Sequence, residues 1–234
     1  MSQELALTAL DAVELVDAAI EDLLSFKKVG LRLEGMQPDE QAAKNLIAAF
    51  NRQRCEPWLA AFLLGCIGHS AGYQTVKDIL LSNARSSSES YAGVAMAKIH
   101  GVRAYEDLRQ ILFGDHSRKV CNGAAYGMVE TASTRLLNDL LTAFSEGRLS
   151  RRDVSGHAAN CNPDDEWLLD LVRSSDPNQH KLASAIIEIM VSPNFTHRRP
   201  GKSVAEAINA RMCDGSLSMN SHRRATLVAW INAT

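Results

Sequence analysis

The chain has 234 residues, 46% of them hydrophobic, 22% charged and 6% aromatic, and a formal net charge of -2. Such a length and apolar content can bury enough surface to offset the entropy of folding, which excludes a disordered chain. The near-neutral total excludes a uniform phosphate- or membrane-attracting field, and abundant Leu, Ala and Ile without strand-spaced Gly-Pro turns exclude an all-β fold.

The first segment is acidic: Glu4, Asp11, Glu14, Asp17, Glu21 and Asp22 occur with no Lys or Arg before residue 27. Within it Leu10, Val13, Val16, Ile20, Leu23 and Leu24 recur at steps of three and four, the spacing of one helical stripe. A turn around Gly30 to Gln37 then leads through Pro38 to a second stripe, Ala42, Ala43, Leu46, Ile47 and Phe50. Residues 1–56 therefore read as an N-terminal hairpin or cap.

From residue 57 one unit recurs. Val76-x-x-Ile79-Leu80, Leu108-x-x-Ile111-Leu112, Leu137-x-x-Leu140-Leu141, Leu168-x-x-Leu171-Val172 and the weaker Val204-x-x-Ala207-Ile208 share a pattern, at a period of about 30 residues, the length of a helical hairpin with its link. The intervening helices are rich in small residues: Ala60, Ala61, Gly65 and Gly68, then Ala92, Gly93, Ala95 and Ala97, then Gly123, Ala124, Ala125 and Gly127. Gly inside a helix costs up to about 1 kcal/mol relative to Ala, so its repeated use there predicts close interhelical contact. The pattern weakens after Val191, where Ser192 to Lys202 form a loop with two prolines and a basic cluster. A helix near 203–212, a Cys-Asp-Gly-Ser turn and a last helix from about Ser221 complete a cap over 193–234. One domain, residues 1–234, is expected.

The stretches Phe62-Leu-Leu-Gly-Cys-Ile-Gly through Val76-Lys-Asp-Ile-Leu-Leu, and Leu112-Phe-Gly-Asp-His-Ser-Arg-Lys-Val-Cys-Asn-Gly-Ala-Ala-Tyr-Gly-Met-Val, resemble the HEAT-like repeat family over roughly residues 57 to 190. Asp115 to Val120 fit that family's charged link, with Cys121 where the family usually has Arg. The resemblance implies an all-α fold, a right-handed α-solenoid of about five to six stacked helical hairpins. HEAT-like proteins serve as scaffolds and adaptors, as chromophore-lyase subunits and as DNA glycosylases, so the family leaves function open.

Candidate chemistry is sparse. Gly201-Lys202-Ser203 imitates the end of a phosphate-binding loop, but Thr196 stands where that motif requires Gly. Cys66 and His69, and His157 and Cys161, could share helical faces, but each pair lacks the further ligands of a structural zinc, so no metal and no cofactor are expected. His100 and His116 read as turn residues. The five cysteines, Cys55, Cys66, Cys121, Cys161 and Cys213, form no CxxC and suit reduced core thiols. No leader or membrane-spanning run is recognisable, so a cytoplasmic protein is expected and Asn194 and Asn232 carry no glycosylation meaning. Asp164, Asp165 and Glu166 precede a stripe where acids favour a helix start, although paired acids could also act as acid and base.

Catalytic residues are not assigned. In the family the second helices line the concave face, which makes Lys77, Asp78, Arg109, Gln110, Arg135, Asn138, Asp139, Asp170 and Arg173 the candidates for binding a partner protein or peptide. Their mixed signs fit a protein better than a phosphate track. The alternatives are nucleic-acid binding or repair through Arg148, Arg151, Arg152, Arg198, Arg199, Lys202, Arg223 and Arg224, and a lyase-like accessory subunit. Oppositely charged ends would also permit head-to-tail homo-oligomers.

Overall fold

The computed structural model describes residues 9–82, 88–217 and 221–234; Glu4 of the acidic segment lies outside them. Among the described residues the chain is helical throughout, without strands: α1 (Ala12–Ile20), α2 (Phe26–Glu34), α3 (Glu40–Asn51), α4 (Pro57–Ile67), α5 (Tyr73–Leu81), α6 (Ser88–His100), α7 (Ala104–Phe113), α8 (Arg118–Glu130), α9 (Leu136–Ser145), α10 (Arg151–Asn160), α11 (Asp165–Arg173), α12 (Pro177–Met190), α13 (Lys202–Cys213) and α14 (Ser221–Ala233). Among the described residues no helix is long and apolar enough to cross a membrane. The chain divides into two compact units, Met1–Leu136 and Leu137–Thr234.

The starts of these helices are set by short polar side chains. Asp11, Asp39, Ser117, Ser150, Asp164 and Asp176 each accept a backbone N–H of the first turn, and Asp11 and Ser150 do so in reciprocal boxes with Glu14 and Asp153. The expected capping role of the acidic trio falls to Asp164, whose Oδ1 accepts the Trp167 N–H at 2.8 Å. Gly68 ends α4 at φ +69°, a left-handed conformation that spares it the steric cost of a side chain, and its N–H reaches the Leu64 carbonyl.

In unit 1 successive helices pack in alternation: α2 on α4, α4 on α6 and α6 on α8, with α5 and α7 on the flanks of α6 and α8. Unit 2 repeats the arrangement, with α10 on α12, α12 on α14 and α11 on α13. The recurrent stripes are the buried faces of α5, α7, α11 and α13, since Val76, Ile79, Leu80, Leu108, Ile111, Leu112, Leu168, Leu171, Val172, Val204 and Ile208 are all buried. In α9 the buried apolar residues are Leu136, Leu140 and Ala143, one position earlier than the expected Leu137 register.

Small residues set the approach of α6 and α8. A Cβ built on Gly93 would lie 1.9 Å from the Gly123 carbonyl oxygen, and one on Gly127 would lie 2.2 Å from the Gly93 oxygen. These backbones touch where the sequence places no side chain.

The N-terminal hairpin differs from expectation. Residues 26–34 form the helix α2 rather than a turn, because Gly30 serves a helix–helix contact: its Cβ would fall 2.5 Å from Phe62 Cζ. Likewise α1 ends at Ile20, Asp22 turns at φ +54°, and the face of α1 that is buried is Ala12, Leu15, Val16 and Ala19. Leu23, expected in the stripe, is 66% exposed.

Candidate binding grooves

In unit 1, α2, α4 and α6 place Phe26, Trp58, Phe62 and Tyr91 in one connected aromatic cluster. Phe26 meets Trp58 edge-on with centroids 5.0 Å apart and Phe62 at 5.5 Å, while Tyr91 lies 5.9 Å from both Trp58 and Phe62. Edge-to-face contact suits the quadrupoles of these rings and fixes their orientation. Beside the cluster runs an open groove of about 380 Å³ lined by Phe26, Lys27, Leu31, Glu34, Phe62 and Tyr91. Leu31 is 73% exposed there, an apolar residue with most of its surface in water.

Charge on the rim is uneven. Glu34 pairs with Lys98, whose ammonium holds the Glu34 carboxyl below its ordinary range against the opposing effect of burial. Lys27 stands in no ion pair among the described residues; its Nζ lies 6.0 Å from the Phe26 centroid. The groove is therefore apolar with a free cation at its edge.

The nine residues expected to bind a partner are divided between the units. On α5 and α7 Lys77 pairs with Asp107 at 3.6 Å, Asp78 accepts from Gln74 Nε2 at 2.8 Å, and Arg109 lies over the Phe113 ring at 5.1 Å. Gln110 is exposed, and Arg135 reaches Glu106 at 2.6 Å and the Tyr105 ring at 5.5 Å. Lys77 and Arg135 are thus tied to other elements, and Asp78 and Arg109 to residues one turn away on their own helices. In unit 2 Asn138, Asp170 and Arg173 are exposed, whereas Asp139 is only 8% exposed and so offers little surface to a partner.

No protein-family model, no curated protein and no solved structure matches the chain.

Unit 2 holds the larger groove, about 730 Å³, lined by Ser150, Arg151, Arg152, Ser155, Ala185, Glu188, Ile189, Ser192 and Arg223. It gathers three of the eight basic residues named from the sequence. The others are placed differently: Arg148 pairs with Glu146 at 2.6 Å, Lys202 lies 3.9 Å from Glu206, and Arg198 reaches Asp165 at 2.5 Å and the Pro163 carbonyl at 3.0 Å. Arg199 and Arg224 are exposed. Gly201 of the phosphate-loop imitation gives its N–H to the Asp165 carboxylate, which occupies the donor a phosphate would need.

The paired His and Cys positions serve local structure. Burial pushes the thiols of Cys66 and Cys161 up to about 12 and that of Cys55 up to about 11, and Cys161 Sγ donates to the His157 carbonyl at 3.0 Å. His69 Nδ1 accepts the Ala71 N–H at 3.2 Å. His100, closing α6, stacks on Tyr73 at 3.7 Å. Among the described residues no group of three His, Cys, Asp or Glu could hold a metal ion.

The aromatic groove is what sequence reasoning missed. Its members run from residue 26 to residue 91 and meet only because alternate helices pack on one another. A signal existed: Trp58, Phe62 and Tyr91 are aromatic side chains in two helices that also carry several Gly and Ala.

Proposed function

We propose that this chain is a noncatalytic binding module that docks a segment of a partner protein, and that its alternating hairpins form a right-handed α-solenoid of the HEAT-like kind. The observation that carries the reading is the unit 1 groove, where the exposed Leu31 sits against Phe26, Phe62 and Tyr91. Aromatic and aliphatic side chains held rigid and left in water are the chemistry of interface hot spots. The occupant is a peptide segment that seats one apolar side chain on the rings and carries a carboxylate beside it, because Lys27 offers a free ammonium at the rim while Glu34 is already neutralised by Lys98. So exposed a leucine describes an open docking surface, which supports a protein over an enclosed small-molecule pocket. The dispersal of Arg148, Arg198 and Lys202 into separate ion pairs supports a protein over a nucleic-acid track.

Selection from a random displayed-peptide library on the immobilised full chain tests this. The expected enrichment is for a Leu or aromatic anchor next to Asp or Glu, with binding weakened about tenfold or more by Leu31→Ser or Tyr91→Ser. Peptides that bind these variants as well as the native chain, or no enrichment at all, would contradict it.

A further inference from the structure

The unit 2 groove combines features that a solvated basic surface lacks. It has the volume of a small-molecule site, about 730 Å³, within the range of roughly 300–1,000 Å³ that such sites occupy. It is lined by three arginines against one acid, and that acid, Glu188, is engaged by Arg223 Nε. Arg151 and Arg152 stand in no ion pair among the described residues, so the groove holds two guanidinium groups in excess.

Neighbouring cations raise each other's free energy, and an oxyanion placed among them relieves that repulsion with charge-assisted hydrogen bonds. Guanidinium forks match the geometry of a carboxylate or phosphate. The groove also has an apolar wall, from Ala185 and the half-buried Ile189, both on α12. A bare inorganic ion would leave that wall uncovered. A nucleic-acid backbone would need the cations to continue in a line, and Arg198 and Lys202 are instead engaged by Asp165 and Glu206.

We infer that this groove binds a small amphiphilic anion, with a carboxylate or phosphate taken by Arg151 and Arg152 and an apolar body laid against Ala185 and Ile189. The site is independent of the peptide groove of unit 1, and either reading can fail without the other. Ligand binding here stabilises unit 2 by mass action.

The test is an NMR titration of the full chain at constant ionic strength with hexyl phosphate, hexanoate, hexanol and inorganic phosphate. Saturable shifts of the amides of α10 and α12 are expected with hexyl phosphate or hexanoate, with hexanol and inorganic phosphate each at least about tenfold weaker. The tighter of the two anionic probes identifies phosphate or carboxylate as the head group. The double variant Arg151→Glu, Arg152→Glu, changed only at exposed positions, is expected to lose about tenfold or more in affinity at an unaltered melting temperature. Ile189→Ser should lower the affinity for hexanoate and leave that for inorganic phosphate unchanged. The inference is overturned if no probe binds saturably, if hexanol binds as well as hexanoate, if the double variant retains its affinity, or if a single-stranded oligonucleotide displaces hexyl phosphate.

Discussion

His157 is the titratable side chain whose environment differs most usefully between folded and unfolded chain. It is buried in α10, and desolvation pushes its pKa down from 6.5 to about 4, with Asp153 acting weakly in the opposite sense. The imidazole is therefore neutral in the fold. Between pH 6.5 and pH 4 the unfolded chain binds a proton that the folded chain does not, so stability is fully present above pH 6.5 and is lost as pH falls toward 4, by about 3 kcal/mol in all. Urea midpoints across that range should fall more steeply for the native chain than for His157→Gln; identical slopes would show that another group is responsible. Thiol chemistry follows the same logic of burial. Cys55, Cys66 and Cys121 are buried, Cys161 is half-buried with its thiol pushed up to about 12, and Cys213 is exposed, so one fast-reacting thiol is expected with Ellman's reagent before denaturation, and Cys213→Ser should abolish it.

At the scale of elements, glycine carries opposite meanings in neighbouring helices. Gly93 and Gly127 are surrounded by the backbone of the facing helix, whereas Gly156 in α10 has no atom within 4 Å of an added Cβ. Gly93→Ala must push α6 and α8 apart and should cost about 3 kcal/mol or more, while Gly156→Ala should add up to about 1 kcal/mol through helix propensity. Equal effects in calorimetry would disprove the close approach. The close approach was legible in the sequence, because repeated Gly in an apolar helical run has few other uses. The helix α2 was not. Gly30 to Gln37 read as a turn, and only the ring of Phe62, more than thirty positions away, explains why Gly30 sits inside a helix. The stripes of α5, α7, α11 and α13 were legible because period and burial coincide there; α9 slipped by one position because Leu136, Leu137, Leu140 and Leu141 offer two apolar registers.

At the scale of the whole molecule, the hairpin repeat belongs to local pattern and the binding surfaces to long-range assembly. Arg151 and Arg152 could be named from sequence as cations, but their meeting with Arg223 depends on α14 packing on α12, and the withdrawal of Arg198 depends on Asp165. Lys77 and Arg135 read as part of a binding face, and their pairing with Asp107 and Glu106 is a consequence of packing that no spacing reveals. The proposed docking of a partner segment on the aromatic groove of unit 1 is read by hydrogen exchange of the full chain with and without a selected peptide. Added protection in α2, α4 and α6, with α5 and α7 unchanged, is the predicted result. Protection confined to α5 and α7, or to unit 2, would contradict it.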